Sequence, residues 1–507
     1  MNRSVISLVL IHCCAFLLSQ DLRVSRTFEA RKKNVPIKIL NNHPSHFYVL
    51  RLNSAVHDMT VERRAKPGAE ILSFTPLKLD SVNAGWFNYE HLDHLFFESE
   101  DRVFFVFEKV QNTKKTIYIK TLDETGRSNG FTEITSLQRE ASSHDFGFIF
   151  KRTAEDNILI IAFRHGRNGI TRKTAILFDP RTLKTLWTRR LPFEVSATEY
   201  TGAFECNGRH DLFYTKTTSS IIGYETGYRD NIRYTEPVLR LDSLFVIKWA
   251  YEGDAPQRKY VSLNGMTRIR NGFILPQDQD VFISLQGLCE TPENDSVQGL
   301  VTNIRLETAS MDLLYNRASP YTPALCDQLT FYDNPRKEFY YKDYTPFRNY
   351  QAGSLLYSLY ERTEGYYYKE LLLFQSDLRS GEVLSQKVVP RKVFFFRNRT
   401  RFKGMGNVMA SLRNDSLELI VLENPDNFRR DPETYDYPAF RKETRLFRAH
   451  VMVYSMGREG RLKKRLIYRN SEFDLVPLQY ESRGQHDLVF YLNNQRKERF
   501  ATWNWNP

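Results

Sequence analysis

Histidine followed by aspartate occurs at His57-Asp58, His144-Asp145, His210-Asp211 and His486-Asp487. Imidazoles beside carboxylates are the raw material of acid-base catalysis and metal ligation when a fold converges several of them on one cavity. The same dipeptide also has a structural use, with Asp capping a turn and His lining the entrance to a strand. Because the pairs recur with other repeated features of the chain, the structural use is the preferred reading. His91 and His94 offer two nitrogens for a metal but bring no third ligand. Asp278 and Asp280 lie in a loop too poor in oxygen donors for calcium. No metal site and no cofactor is assigned, and no residue is assigned a catalytic role.

Recognition chemistry is denser elsewhere. Three segments read as loops longer than a hairpin needs and are crowded with aromatic and basic side chains: 316–350, 391–407 and 423–448. Their candidate contacts are Tyr340, Tyr341, Tyr344, Arg348, Arg397, Arg399, Arg401, Arg429, Arg430, Tyr435 and Tyr437. Tyrosine faces stack on sugars or on apolar groups of a protein partner, and arginine forks grip carboxylate, sulfate or phosphate. The competing reading makes these aromatics the cover of a sheet edge, with arginine stems lying along them.

Such loops need a scaffold, and composition points to strands. Aromatic residues make up 14% of the chain, including 28 Tyr and 36 Phe, and stretches of helical period are scarce. A polar residue repeatedly runs straight into an apolar strand. The instances are His46 (FYVLRL), Asp101 (RVFFVFE), Asp156 (NILIIAF), Asp211 (LFYT), Asp280 (VFISL), Ser354 (LLYSLY), Asp415 (SLELIVL) and Asp487 (LVFYL). Their spacings are 55, 55, 55, 69, 74, 61 and 72 residues. After several of them a hairpin follows, from Lys115, Lys173, Lys369 and His450, in each case strand, turn, strand. Four strands per unit make a propeller blade, and radial repetition removes the sheet edges that invite aggregation. Counting intervals between starts gives an all-β fold, a single toroidal β-propeller of about seven blades (six to eight), closed by C-terminal strands that complete the first blade. The alternative is two consecutive β-sandwich domains.

The segments HDFGFIFKRTAEDNILIIAF, TAILFDPRTLKTLWTRRLPF, KELLLFQSDLRSGEVLSQKVVP and SLELIVLENPDN resemble the exported propeller-like proteins of uncharacterised role common in Bacteroidota. The resemblance spans most of the chain and implies a scaffold, with no catalytic residue to carry over. Signatures of WD repeats, sialidases and kelch repeats are missing, and no G-x-S-x-G follows the strands.

Residues 1–20 place Arg3 before an apolar run from Ile6 to Leu18 and read as a signal peptide, leaving 21–507 as the propeller domain. Cys13 and Cys14 lack the small preceding residues of a lipid-attachment site. Beyond the leader, Cys206, Cys289 and Cys326 allow one disulfide at most. The net charge of +12 is dispersed rather than gathered in a tail. These features point to an exported, non-catalytic propeller in the periplasm or at the cell surface, binding an envelope protein or an anionic glycan and peripheral to a membrane. A carbohydrate-active hydrolase or lyase with a site in the central funnel, and a structural subunit of an envelope complex, are the alternatives. Nucleic acid is excluded as a partner by dispersed charge and export.

Overall fold

The computed structural model describes residues 22–29, 34–53, 58–77, 89–97, 102–111, 113–123, 127, 130–141, 143–153, 155–166, 170–191, 195–196, 201–229, 232–253, 255–291, 296–332, 344–364, 367–391, 393–394, 408–413, 415–434, 444–445, 449–469, 474–476, 487–493 and 497–504. Their strands form eight sheets, each with four antiparallel strands at its core. Blade I holds Asn34–Asn42, His46–Asn53, Asp58–Ala65 and Ile71–Leu77, and blade II holds Tyr89–Phe97, Arg102–Val110, Lys114–Leu122 and Thr132–Gln138. Blade III holds Ser143–Arg152, Ile158–Gly166, Ile170–Asp179 and Lys184–Arg190, and blade IV holds Thr201–Cys206, Leu212–Arg229, Ile232–Trp249 and Gln257–Val261. Blade V holds Arg268–Pro276, Asp280–Thr291, Ser296–Glu307 and Leu313–Pro320, and blade VI holds Tyr344–Ala352, Leu355–Glu364, Tyr367–Asp377 and Val383–Val389. Blade VII holds Met409–Arg413, Ser416–Glu423, His450–Met456 and Leu462–Tyr468. Blade VIII joins Asp474–Val476, Asp487–Asn493 and Lys497–Asn504 to the N-terminal strand Leu22–Val24. First strands of neighbouring blades approach one another, so they form the inner wall of the ring and the fourth strands its outer rim.

Alternation explains why the second strands are apolar throughout. In blade I, Phe47 and Val49 pack towards blade VIII while Tyr48 and Leu50 pack towards blade II. In blade III, Ile158 and Ile160 face blade II, and Leu159 and Ile161 face blade IV. Successive side chains of a strand point to opposite faces, so a strand between two neighbours is greasy at every position. The clusters run pair by pair around the ring, and the one that joins blades VII, VIII and I closes it.

The described polar markers stand at or just before the start of the second strands, and Asp101 lies outside the described residues. Asp156, His210, Gly353 and Asp415 have φ of 64°, 66°, 59° and 62°, a left-handed conformation that Gly, Asn, Asp and His tolerate best. In blade IV, Asn207 Oδ1 accepts the Asp211 amide at 2.9 Å and the Asn207 carbonyl accepts the His210 amide at 3.0 Å. Thr153 plays both parts in blade III, accepting from Asn157 at 3.1 Å and from Asp156 at 3.2 Å. The four hairpins read from the sequence are the third and fourth strands of blades II, III, VI and VII.

Two expectations need correction. Each marker stands in the sequence at or just before a described second strand, so they count eight blades, whereas counting intervals gave seven. The C-terminal strands do not complete the first blade. They build blade VIII, whose outer strand is Leu22–Val24, with Leu22 opposite Trp503 and Val24 opposite Ala501. Phe28–Glu29 extends this pairing, with Phe28 opposite Glu498. The ring is single, which removes the two-sandwich alternative.

The turns between third and fourth strands carry a left-handed residue too, and at Gly381 (φ +77°) there is no room for a side chain: a Cβ would stand 2.4 Å from the Tyr315 ring. That ring is pinned because the Tyr315 hydroxyl donates to the Leu378 carbonyl at 2.7 Å. Gly381→Ala is expected to destabilise the protein by about 2–4 kcal/mol, the sum of left-handed strain and overpacking. A urea midpoint unchanged from the parent would contradict this packing of blade V on blade VI.

Candidate recognition face

Connections in a meander alternate between two ends. Turns joining first to second and third to fourth strands lie at one end of the ring, and second-to-third loops and blade-to-blade links at the other. The larger additions belong to that second end. Blade IV contributes a ribbon, because its second and third strands run 18 residues each against 7 to 12 for the second strands of the other blades. At 3.3 Å per residue the excess is roughly 20–35 Å. Its base is marked by buried Thr217 and Leu244 and by the Thr218 and Ser243 hydroxyls, 2.9 Å apart. The pairing continues to Arg229 opposite Ile232, with register shifts at Thr218/Ser219 and Ile221/Gly223.

Two other additions flank blade VI. In the link from blade V, Thr322 caps the helix Pro323–Tyr332 by accepting the Leu325 amide at 3.2 Å, with proline at the first helical position. Leu325 and Leu329 pack with Val388 on the outer strand of blade VI. On its other side, Pro425–Asn427 forms a single 3-10 turn capped by the Asn424 side chain. From there the chain settles in the cleft between the rims of blades VI and VII. Lys464 Nζ donates to the Asn427 carbonyl at 2.5 Å, and Glu433 takes Lys387 Nζ at 2.5 Å and the Leu462 amide at 2.5 Å. Phe428 joins the VI–VII core under the Arg469 guanidinium. Val393–Phe394 pairs with Tyr367–Tyr368 and, in parallel, with Thr444–Arg445, lashing these links together.

The long loops read from the sequence are therefore shorter than expected. Residues 316–320 belong to the outer strand of blade V, 323–332 to the helix and 344–350 to the inner strand of blade VI. Tyr344 corrects the expectation of an exposed aromatic face: it is buried between blades V and VI, where its hydroxyl meets the Glu370 carboxylate and Arg362 Nη1 stands 3.3 Å from the same oxygen. Burial and the neighbouring Glu370 push its hydroxyl well above the ordinary tyrosine range. Arg348 stands half-buried on the inner strand of blade VI, and Arg429 and Arg430 are exposed beside the VI–VII rim cleft. Inner and outer strands of one blade are about 14 Å apart, so these arginines do not form one cluster. Tyr340, Tyr341, Arg397, Arg399, Arg401, Tyr435 and Tyr437 lie outside the described residues.

Of the His-Asp pairs, His210-Asp211 has the structural role expected of it. Asp211 Oδ1 accepts the Tyr251 amide at 2.8 Å, and its Oδ2 takes Asn207 Nδ2 at 3.3 Å. His57 and His486 lie outside the described residues, while His91, His94 and His144 sit in the inner strands of blades II and III. Cys206, Cys289 and Cys326 are free thiols, Cys206 buried between blades III and IV.

The charged groups that sequence reasoning missed are buried between and within blades. Arg51 Nε lies 2.7 Å from Glu62 and its Nη2 lies 2.5 Å from Glu498, while Arg64 Nη2 lies 2.7 Å from Glu62. Burial works to discharge Arg51, but the Glu498 and Glu62 carboxylates more than reverse it. At Arg64 burial prevails and the guanidinium is held below its ordinary range. No signal in the sequence marks this group, whose members Arg51 and Glu498 are 447 residues apart.

Glu205, on the inner strand of blade IV, is 2.5 Å from Lys151, yet burial outweighs that lysine and raises its carboxyl pKa above the ordinary 4.5. An acid with a raised folded-state pKa favours the fold below its unfolded value, and this contribution is lost as pH rises through the folded value. The stability difference between the parent and Glu205→Gln is therefore expected to move against the parent as pH rises from 4.5. Thermal unfolding of both proteins from pH 4.5 upward checks the sign, and parallel curves would contradict it.

No family model and no curated protein matches the chain. Among solved structures it is similar to the β-propeller domain of the Trilobed protease from Pyrococcus furiosus, at 8% identity and a TM-score of 0.35, covering 86% of this chain and 99% of that one. It is similar to the Nup133 β-propeller domain of Vanderwaltozyma polyspora, at 12% identity and a TM-score of 0.36, covering 92% and 100%. A prolyl endopeptidase aligns at 8% identity and a TM-score of 0.39 over 91% of this chain, which spans 53% of that longer protein.

Proposed function

We propose that the protein is an exported, non-catalytic propeller of the cell envelope that binds an acidic partner, a protein surface or an anionic glycan, through the ribbon-bearing end of its ring. One observation carries this reading: the blade IV ribbon, the V–VI and VI–VII links and the second-to-third loop of blade VII all leave the ring at the same end. Rigid scaffolds that gather their enlarged connections at one end use them for binding. A two-stranded ribbon offers backbone groups on its outer edges, which favours a protein partner that adds a strand. The net charge of +12 supplies attraction to an acidic surface.

The test is capture of native partners by mild crosslinking and affinity purification of the tagged protein from its own cells at near-physiological salt. A stoichiometric protein that co-elutes with the parent and is lost on replacing Arg397, Arg399 and Arg401 with serine is the expected result. Polysaccharide alone would move the reading to glycan recognition. Turnover of an offered polysaccharide by the purified chain would overturn it.

A further inference from the structure

Four polar side chains meet among apolar ones on the face that blade VII turns towards blade VI. Side chains of one parity share a face of a strand. Glu423 therefore stands in line with Leu419 and Val421 on the second strand, Tyr454 with Met452 on the third and Lys464 with Leu466 on the fourth, all within the VI–VII core. Asn427 comes to the same place from the 3-10 turn, and its neighbour Phe428 joins the surrounding apolar side chains. Glu423 and Asn427 are each 1% exposed, and the Lys464 side chain 4%.

Lys464 Nζ donates to the Asn427 carbonyl at 2.5 Å and lies 3.7 Å from Glu423 Oε1, while Glu423 Oε2 accepts the Tyr454 hydroxyl at 2.6 Å. The Asn427 backbone is fixed, its carbonyl taking the Arg430 amide at 2.9 Å and its amide donating to the Asn424 carbonyl at 3.0 Å. Its side chain is not. Both polar atoms are buried and neither completes a hydrogen bond, although the amide is near enough to the Glu423 carboxyl to favour its charge. Buried polar groups are ordinarily satisfied. The carbonyl oxygen and the side-chain amide carbon of one asparagine are about 3–5 Å apart whatever the rotamer, so the lysine amine is within a side-chain rotation of that carbon.

We propose that Lys464 and Asn427 join in an intramolecular amide bond, with Glu423 as the acid–base. The Nζ lone pair adds to Asn427 Cγ while Glu423 gives its proton to Oδ1. Glu423 then carries a proton from Nζ to Nδ2, the Cγ–Nδ2 bond breaks, ammonia leaves and the Oδ1 proton returns to the carboxylate. One C–N bond forms and one breaks, Glu423 ends as it began, and no oxidant is used. The reaction needs an uncharged amine beside an uncharged acid, and burial favours both. It holds the Lys464 ammonium below its ordinary range despite Glu423 and Asp431, and the Glu423 carboxyl above its own despite Lys464. A desolvated amine held against its target is an activated nucleophile. The bond fastens the segment that follows the second strand of blade VII to the outer strand of the same blade, independently of what the ribbon-bearing end binds.

Mass spectrometry of the purified chain 21–507 is the test. The chain is expected to be lighter than its sequence by about 17 Da, the ammonia lost. Trypsin is expected to release peptide 414–429 carrying Lys464-Arg465 as a branch. Glu423→Gln, which keeps the shape, and Lys464→Arg, which keeps the charge, are each expected to have the full mass of their sequence. Circular dichroism showing that Glu423→Gln is folded separates loss of the acid–base from loss of the fold. The proposal is overturned if the parent has the full mass of its sequence, or if either variant still forms the branched peptide. A loss of ammonia with no branched peptide would mean that Asn427 had closed on its own backbone, and overturns it as well.

Discussion

Replacing Glu498 with alanine is expected to cost about 3–5 kcal/mol of stability, the penalty for leaving a buried charge without its partner. Glu498 takes Arg51 with both oxygens, at 2.5 and 3.2 Å, and its Oε2 also accepts the Tyr491 hydroxyl at 3.2 Å. Glu62 neutralises the remaining charge of the two arginines, and Arg64 anchors the group by donating to the Ala69 carbonyl at 2.8 Å. All four ionic side chains are buried, so two positive and two negative charges balance out of water. Without Glu498 a surplus positive charge remains where blades VIII and I meet. The double change Arg51→Met/Glu498→Leu is expected to recover most of the loss, since apolar substitutes of similar volume replace buried ion pairs at little net cost. Urea unfolding of the three proteins measures both effects, and a single-variant loss below about 1 kcal/mol is what an exposed pair would give.

Excising the blade IV ribbon is expected to weaken partner binding at least tenfold while leaving the ring folded. Residues 219–242 can be replaced by Asn-Gly, because Thr218 and Ser243 are opposite one another and a two-residue turn closes an antiparallel pair. The six body residues of each strand, Leu212–Thr217 and Leu244–Trp249, keep their register. An unchanged melting temperature with lost binding is the expected pair of readings.

Much of the ring could be read from the chain because each blade buries both faces of its second strand, which makes runs such as Asn157-Ile-Leu-Ile-Ile and Asp415-Ser-Leu-Glu-Leu-Ile-Val-Leu unmistakable. In blades III, IV, VI and VII a left-handed residue in the turn before them is Asp, His or Gly, which marks the strand start even where spacing drifts. The drift has a local cause at one step: the 69 residues from Asp211 to Asp280 contain the ribbon. The closing strand was invisible because three residues, Leu22–Val24, carry no period and pair with a segment at the far end of the chain. Tyr344 was misread for a related reason. In YTPFRNYQA the aromatics of an inner strand look the same as those of a loop, and only the packing of blade V on blade VI shows where the first of them goes.

Binding through the ribbon-bearing end of the ring is the central proposal. The most direct measurement is the affinity of the captured native partner for the parent and for the ribbon-excised chain across a salt series, with circular dichroism confirming that both are folded. Parent binding is expected to weaken as salt screens the attraction, and the excised chain is expected to bind at least tenfold more weakly. Equal affinity of the two folded proteins at every salt concentration would contradict it and place the binding surface elsewhere on the ring.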